Sequence, residues 1–358
     1  MSQSFGKNLK VTIFGSSHQE YMGVVMDNVK IGFEIDMEKL DQFMQRRAPG
    51  KSKFTTKRKE ADQAIFISGV KENKIISKTI TALIKNKDYK SKDYDNLNDI
   101  PRPSHADFTS FIKYGKGMDM NGSGPFSGRL TAPFCLAGGI AKQILEDDGI
   151  KISSRIKNIG GIFDKNLDLA NPPMDDLEKI SNKEIPLLDD KKEDEIRKLL
   201  EEVKSEGDSL GGICQVFGEN IPQGLGDPLF DSFEANISYL SFGIPGLRAI
   251  SFGEGLSSIN MRGSVHNDQF EIKDGKVRTL TNNAGGVVGG ITNGMPVVFD
   301  LIFKPTPSIS LAQKSFSIKE KKEKSLQIKG RHDPCFCLRT PPIGESILAL
   351  TVLDFLNE

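Results

Sequence analysis

"TNNAGGVVGGITNG" (281–294) and, directly after Met295, "PVVFDLIFK" (296–304) set the terms for the fold. The first holds five glycines in fourteen residues and reads as a glycine-rich bend. The second is β-branched and aromatic and bounded by proline, the pattern of a strand. Working outward, similar runs occur at "KVTIFG" (10–15), "QAIFISGV" (63–70) and "GGICQVFG" (211–218). "FEIKDGKVRTL" (270–280) reads as a hairpin turning at Asp274-Gly275. Helical spacing appears in "DMEKLDQFMQRR" (36–47), where Leu40, Phe43 and Met44 share a face, Asp36 is the cap and Pro49-Gly50 the stop. "EDEIRKLLEEVKSEG" (193–207) places Ile196, Leu199, Leu200 and Val203 on one stripe and ends at Gly207, and "ESILALTVLDFL" (345–356) is apolar enough for a buried helix. The polar stretch around 164–195 reads as a surface segment. Strands and helices mix without strict βαβ alternation, which points to an α+β architecture rather than a doubly wound sheet.

Lys+Arg and Asp+Glu both number 48, so no net field steers the chain toward nucleic acid or an anionic membrane. Any anion site has to come from local clustering. No apolar run approaches the roughly 20 residues of a membrane span, and "MSQSFGKNLKVTIFG" lacks a signal-peptide pattern, so a cytoplasmic protein is expected. The four cysteines, Cys135, Cys214, Cys335 and Cys337, are few and unevenly spaced, as for reduced thiols. His332, Cys335 and Cys337 spell H-x2-C-x-C, but a fourth ligand is missing nearby and no metal is expected.

"RRAPGKSKFTTKRK" (46–59) holds seven basic side chains and no acid. It is either a solvated loop neutralised by later acids such as Glu60 and Asp62, or a clamp for a multiply charged anion. "PGKS" within it is not a nucleotide P-loop, because Gln45 stands where the motif needs glycine. "GSGPFSG" (122–128) misses the G-x-G-x-x-G spacing and follows no clear strand, so a dinucleotide fingerprint is unsupported. The 281–294 stretch is a turn-rich loop or a place where backbone N–H groups approach an anion or planar ring. Three of the four histidines, His18, His105 and His332, lie in segments dense with Gly, Pro, Arg and Asp, whereas His266 reads as loop surface. With an anion clamp, this points to an acid/base site, since imidazole titrates near neutral pH.

In chain order, "FGSSH", "RRAPGKSKFTTKRKEAD", "RPSHADFTSFIKYG", "GLGDPLFD", "NNAGGVVGGITNGMPV", "KPTPSI" and "GRHDPC" resemble the chorismate synthase family and span nearly the whole chain. The resemblance implies a lyase of the shikimate pathway that converts 5-enolpyruvylshikimate 3-phosphate to chorismate and phosphate with reduced FMN. It also implies a single-domain β-α-β sandwich over 1–358, assembled as a homotetramer. Some members reduce their flavin with NADPH and others rely on an external reductase; with no nicotinamide fingerprint or added domain, the second kind is expected.

The resemblance assigns roles residue by residue. Arg46, Arg47, Lys53 and Arg58 form the anion clamp, His18 is the general acid toward the departing phosphate, and His105 protonates or hydrogen-bonds the reduced flavin. Asp333 joins a proton relay beside the flavin. The flavin itself falls to Ser127, Arg129, Gly289, Lys304, Pro305, Thr306, Pro307, Ser308 and Arg331.

Two segments depart from the family pattern. Gly15-Ser16-Ser17-His18-Gln19 stands for G-E-S-H-G, and "GSGPFSGRLT" (122–131) stands for a G-G-R-S-S-A-R-E-T type segment, with Pro125, Phe126 and Leu130 replacing an Arg, a Ser and a Glu. Arg248 replaces a Lys, and Lys53 takes a position that is often Arg. These changes admit a working enzyme or a relative that binds flavin or anions without turnover, and the presence of His18, His105, Arg331 and Asp333 together favours the enzyme.

Overall fold

A computed structural model describes residues 3–50, 54, 62–86, 99–115, 121–328 and 333–358. Two five-stranded antiparallel sheets sandwich a layer of helices. The first sheet runs Ser4–Phe5, Lys10–Gly15, Tyr21–Asp27, Thr79–Lys85, Ala64–Ser68; the second runs Leu247–Phe252, Val297–Phe303, Gly212–Glu219, Lys151–Ile159, Ile162–Phe163. Helix Thr131–Asp147 packs on the first sheet, helix Pro341–Leu356 on the second, and the two pack on each other.

Alternation explains the first sheet. Met22, Val24 and Met26 pair in register with Ile84, Ala82 and Ile80, and all six are buried on the face toward the helices. Strand Lys151–Ile159 does not alternate, because its sheet is covered on both faces. On the outer side, Met174, Leu177 and Ile180 pack with Phe217 and Val298 in a small second core. This corrects the reading of 164–195 as plain surface: Met174–Ile180 is a helix, and buried Asp164 accepts from Arg155 at 2.9 Å. The stretch looked polar because charged residues surround the few apolar positions that face inward.

The helix layer is tight. A Cβ on Gly138 would lie 2.6 Å from the Cα of Ser346 on the neighbouring helix, so glycine sets how closely the two helices approach. That same glycine pair, Gly138-Gly139 within "TAPFCLAGGIAKQILED", hides the helix from periodicity arguments. The expected helices are found at Met37–Arg47, capped by Asp36, at Asp190–Glu206, ended by Gly207 at φ 77°, and at Pro341–Leu356, which starts four residues earlier than read. The hairpin turns at Asp274-Gly275 as expected, both with positive φ. His266 ends a short helix, Gly263–His266, and is half-buried rather than loop surface. Among the described residues no helix is long and apolar enough to cross a membrane.

Candidate active site

Where the two sheets' loops meet, a cavity of about 510 Å³ is lined by His105, Ser127, Arg129, Asp333 and the run Lys304 to Ser308. These come from four separated segments of the chain. A wider hollow of about 990 Å³ adjoins it across Pro125, Phe126 and Ser127.

His105 sits in the turn leading into helix Asp107–Tyr114, so Asp107 occupies the first helical turn, where a carboxylate is favoured. His105 Nδ1 lies 2.7 Å from Asp107 Oδ1, and Nε2 lies 3.1 Å from the Ser123 hydroxyl. Arg102 clamps the same carboxylate, donating from Nε at 2.7 Å, Nη2 at 2.8 Å and its backbone N–H at 3.0 Å. Burial disfavours charge on Asp107, but the hydrogen bonds from Arg102 and His105 outweigh it and hold the carboxyl well below its usual range. Burial lowers the pKa of His105, and the charges of Arg102 and Lys304 add to that against the opposing pull of Asp107. The imidazole is therefore neutral at pH 7, with Nδ1–H donated to Asp107 and Nε2, beside the Ser123 hydroxyl, as the acceptor nitrogen.

Lys304 reaches across the cavity to donate to the Ser104 carbonyl, and burial together with the charge of Arg248 lowers its pKa. Ser308 Oγ accepts from Arg102 Nη1 at 3.2 Å. Asp333 accepts from Arg339 Nη1 at 2.9 Å, and Arg339 Nε donates to the Arg47 carbonyl at 2.9 Å.

Beneath the cavity lies a second charged layer. Arg47 is fully buried, 2.9 Å from Asp62 and donating to Thr131 Oγ1 at 3.2 Å. Its pKa is lowered to about 10 by burial, which Asp62 opposes and Arg339 and Arg129 reinforce, so it stays charged at neutral pH. Arg129 also pairs with Asp62, and its Nε donates to Asn86 Oδ1 at 3.0 Å. Asn86 in turn donates to the carbonyls of Ser16 and Gln19 at 3.2 and 2.7 Å. It thereby ties the loop of His18, the turn between strands Lys10–Gly15 and Tyr21–Asp27, to Arg129. His18 Nδ1 lies 3.1 Å from the Ser17 hydroxyl.

Among the described expected site residues, His18, Arg46, Arg47 and Gly289 do not line the cavity; His18 and Arg47 connect to it through Asn86, Arg129 and Arg339, and the other two lie elsewhere. Arg46 was read as part of the anion clamp; instead its guanidinium is nearly buried and meets Glu345 at 2.5 and 3.0 Å and the Ser181 carbonyl at 3.1 Å. The guanidinium fork is thus engaged by a carboxylate in the helix layer rather than facing the cavity. Gly289, at φ 65°, is the exposed tip between strands Val287–Val288 and Ile291–Thr292, away from the cavity. Lys53, Arg58 and Arg331 lie outside the described residues, as does His332. The thiol of Cys335 is pushed up to about 12 by burial.

Sequence reasoning missed Arg102, Asp107, Ser123, Asn86 and Arg339, and named Asp62 only as an acid neutralising the basic run, which it does for Arg47. Arg102 and Asp107 stand within the quoted 102–115 motif, and a carboxylate two residues past a histidine was the signal available. The other three missed residues carry no spacing that marks them.

A family model described as "Chorismate synthase" matches residues 9–356. The chorismate synthase of Lancefieldella parvula is 39% identical, covering 99% of this chain and 96% of the relative. That of Pyrococcus abyssi is 40% identical over 98% and 96%. A solved structure titled "Crystal Structure of Chorismate Synthase" superposes with a TM-score of 0.79 at 25% identity, covering 98% of this chain and 92% of that one. With the fold, the ordered motifs and the cavity already in place, these similarities show that the chain belongs to the chorismate synthase family.

Proposed function

We propose that the chain catalyses the 1,4-anti elimination of phosphate from 5-enolpyruvylshikimate 3-phosphate, giving chorismate, with reduced FMN as cofactor. In this reaction phosphate departs with the C–O electron pair from one ring carbon, a hydrogen leaves another, and a new double bond closes the balance. The observation that carries the reading is the convergence of His105, Asp333 and the Lys304–Ser308 run on one cavity.

The cavity's chemistry fits a flavin phosphate and ring. Its volume lies in the range of cofactor pockets, and the Thr306 hydroxyl is buried without a partner among the described residues, an orphan that a ligand would satisfy. Lys304 brings a cation that donates to the Ser104 carbonyl, and the adjoining hollow leaves room for a substrate beside the cofactor. Reduced FMN, when bound, lends electron density that is returned within the turnover, which is how a redox cofactor serves a reaction with no net redox change.

The protein groups do the rest. His18 protonates the departing phosphate, His105 lines the cavity that would hold the cofactor, and Asp333, oriented by Arg339, relays the substrate hydrogen as a proton. Arg47 and Arg129 set positive charge beneath the substrate, and Lys53 and Arg58 complete the anion clamp. Ser127, Pro305, Pro307, Ser308 and Arg331 shape the cofactor's surroundings; Gly289, being remote from this cavity, would have to act from elsewhere.

The same reading makes 1–358 one domain, supported by one large core cluster that joins both sheets. It makes the assembly a homotetramer, supported by the exposed apolar Leu256, Ile259, Phe270 and Ile272. It makes the location cytoplasmic and the electron source an external reductase. Anaerobic incubation with chemically reduced FMN tests the function: chorismate and phosphate should form in equal amounts. Binding of FMN and substrate with neither product formed would leave a binding protein in place of the enzyme.

A further inference from the structure

We propose that Ser123 is a positioning residue for His105, its hydroxyl holding the imidazole in the single neutral form whose Nε2 accepts. Ser123 belongs to the 3-10 turn Asn121–Phe126, lines the cavity and is 6% exposed. Its φ is 82°, and Ser104, the residue before His105, has φ 57°. Two serines in left-handed backbone therefore bracket one imidazole. Glycine would adopt either conformation without strain, so at position 123 the hydroxyl is what the site gains for that strain.

The hydrogen-bond directions follow from the donor inventory. Arginine has no acceptor, so Arg102 Nη2, at 3.0 Å, donates to the Ser123 oxygen. That leaves the serine hydrogen for His105 Nε2 at 3.1 Å. On the other side of the ring Nδ1–H goes to Asp107. Arg102 Nη2 also lies 3.2 Å from Nδ1, but as a donor facing an N–H it forms no bond there. The charged groups facing the ring are Asp107, Arg102 and, across the cavity, Lys304. Ser123 is the neutral one, and its orientation is set by Arg102. A water in its place would turn to suit either protonation state and would not bias the ring.

The inference rests on the reading of His105 as a working residue, and its test separates the two. Histidine ring nitrogens are followed by NMR across pH in the ligand-free full-length protein, with His105→Ala to assign the signal, alongside turnover with reduced FMN. Wild type should show the Nδ1–H form and titrate below the usual imidazole range. In both Ser123→Gly and Ser123→Ala the His105 pKa should rise by about half to one unit, the size of one net hydrogen bond. kcat should fall about tenfold with KM within about twofold, the signature of lost positioning rather than lost binding. Ser123→Gly should melt above Ser123→Ala, since it relieves the backbone, which excludes misfolding as the cause. An unchanged His105 titration in both variants would overturn the proposal. A wild type that makes no chorismate would remove the proposed reaction, and the NMR titration alone would then judge Ser123.

Discussion

Two buried charge clusters are built from similar parts. In one, Glu345 accepts from Arg46, Lys142 and Ser154, with the Lys142 ammonium at 3.2 Å and the Ser154 hydroxyl at 2.7 Å. In the other, Asp107 accepts from Arg102 and His105. Both carboxyls are held ionised: for Glu345, burial works against the charge but Arg46 and Lys142 win and lower the pKa to about 2. The difference lies in what faces outward. The Glu345 cluster is enclosed by helices and uses its donors on itself, whereas the Asp107 cluster presents His105 and Ser123 to a cavity. A charged cluster closed on itself holds a fold together; one that leaves a titratable nitrogen at a cavity wall can do chemistry.

Breaking the closed cluster should produce the largest change, and in stability alone. Glu345→Ala strands the buried Arg46 charge and should cost about 3–5 kcal/mol of unfolding free energy, read by denaturant titration, while kcat per folded molecule stays near wild type. A loss of turnover without loss of stability would assign Arg46 to the ligand after all. Next in size, His105→Ala and His18→Ala should each lower kcat about 100-fold or more with the melting curve preserved. Near-normal turnover in either removes that histidine from the chemistry. Asp107→Asn should lower kcat by about tenfold, because the amide can donate to Nδ1 and favour the wrong tautomer.

pH sharpens the contrast further. Glu345 has a folded pKa depressed from 4.5 to about 2, so its stabilisation is full above the unfolded value and is lost as pH falls through that window. His105 is depressed as well, but as a base: the folded state resists its protonation, so the acid limb of kcat should lie below the usual imidazole range. Activity that instead falls as pH rises through that range would show that His105 works as the cation. These two limbs should separate, activity falling with acid before stability does.

Much of the site was legible beforehand because its residues come in short runs. Lys304 to Ser308 follow one strand directly, so a linear motif delivers a wall of the cavity. His105 and Asp107 share one turn. Arg46 shows the limit of such reading. It is adjacent to Arg47 in a basic run, yet on a helix neighbours point about 100° apart, and one meets Glu345 while the other meets Asp62. Asn86 and Arg339 are single polar residues in unremarkable surroundings, and only the packing of distant segments gives them partners.

The sequence alone determined the local elements it marks with period, cap or turn, and, through its ordered motifs, the family and the residues offered for chemistry. Those features are short-range, set by backbone sterics and neighbouring side chains. Tertiary structure decided which carboxylate each arginine meets, where Gly289 lies, how Asn86 joins the His18 loop to Arg129, and that Ser123 closes the ring of partners around His105. Such pairings depend on chain segments brought together by burying apolar faces on both sides of the helix layer, and no local pattern encodes the partner's identity.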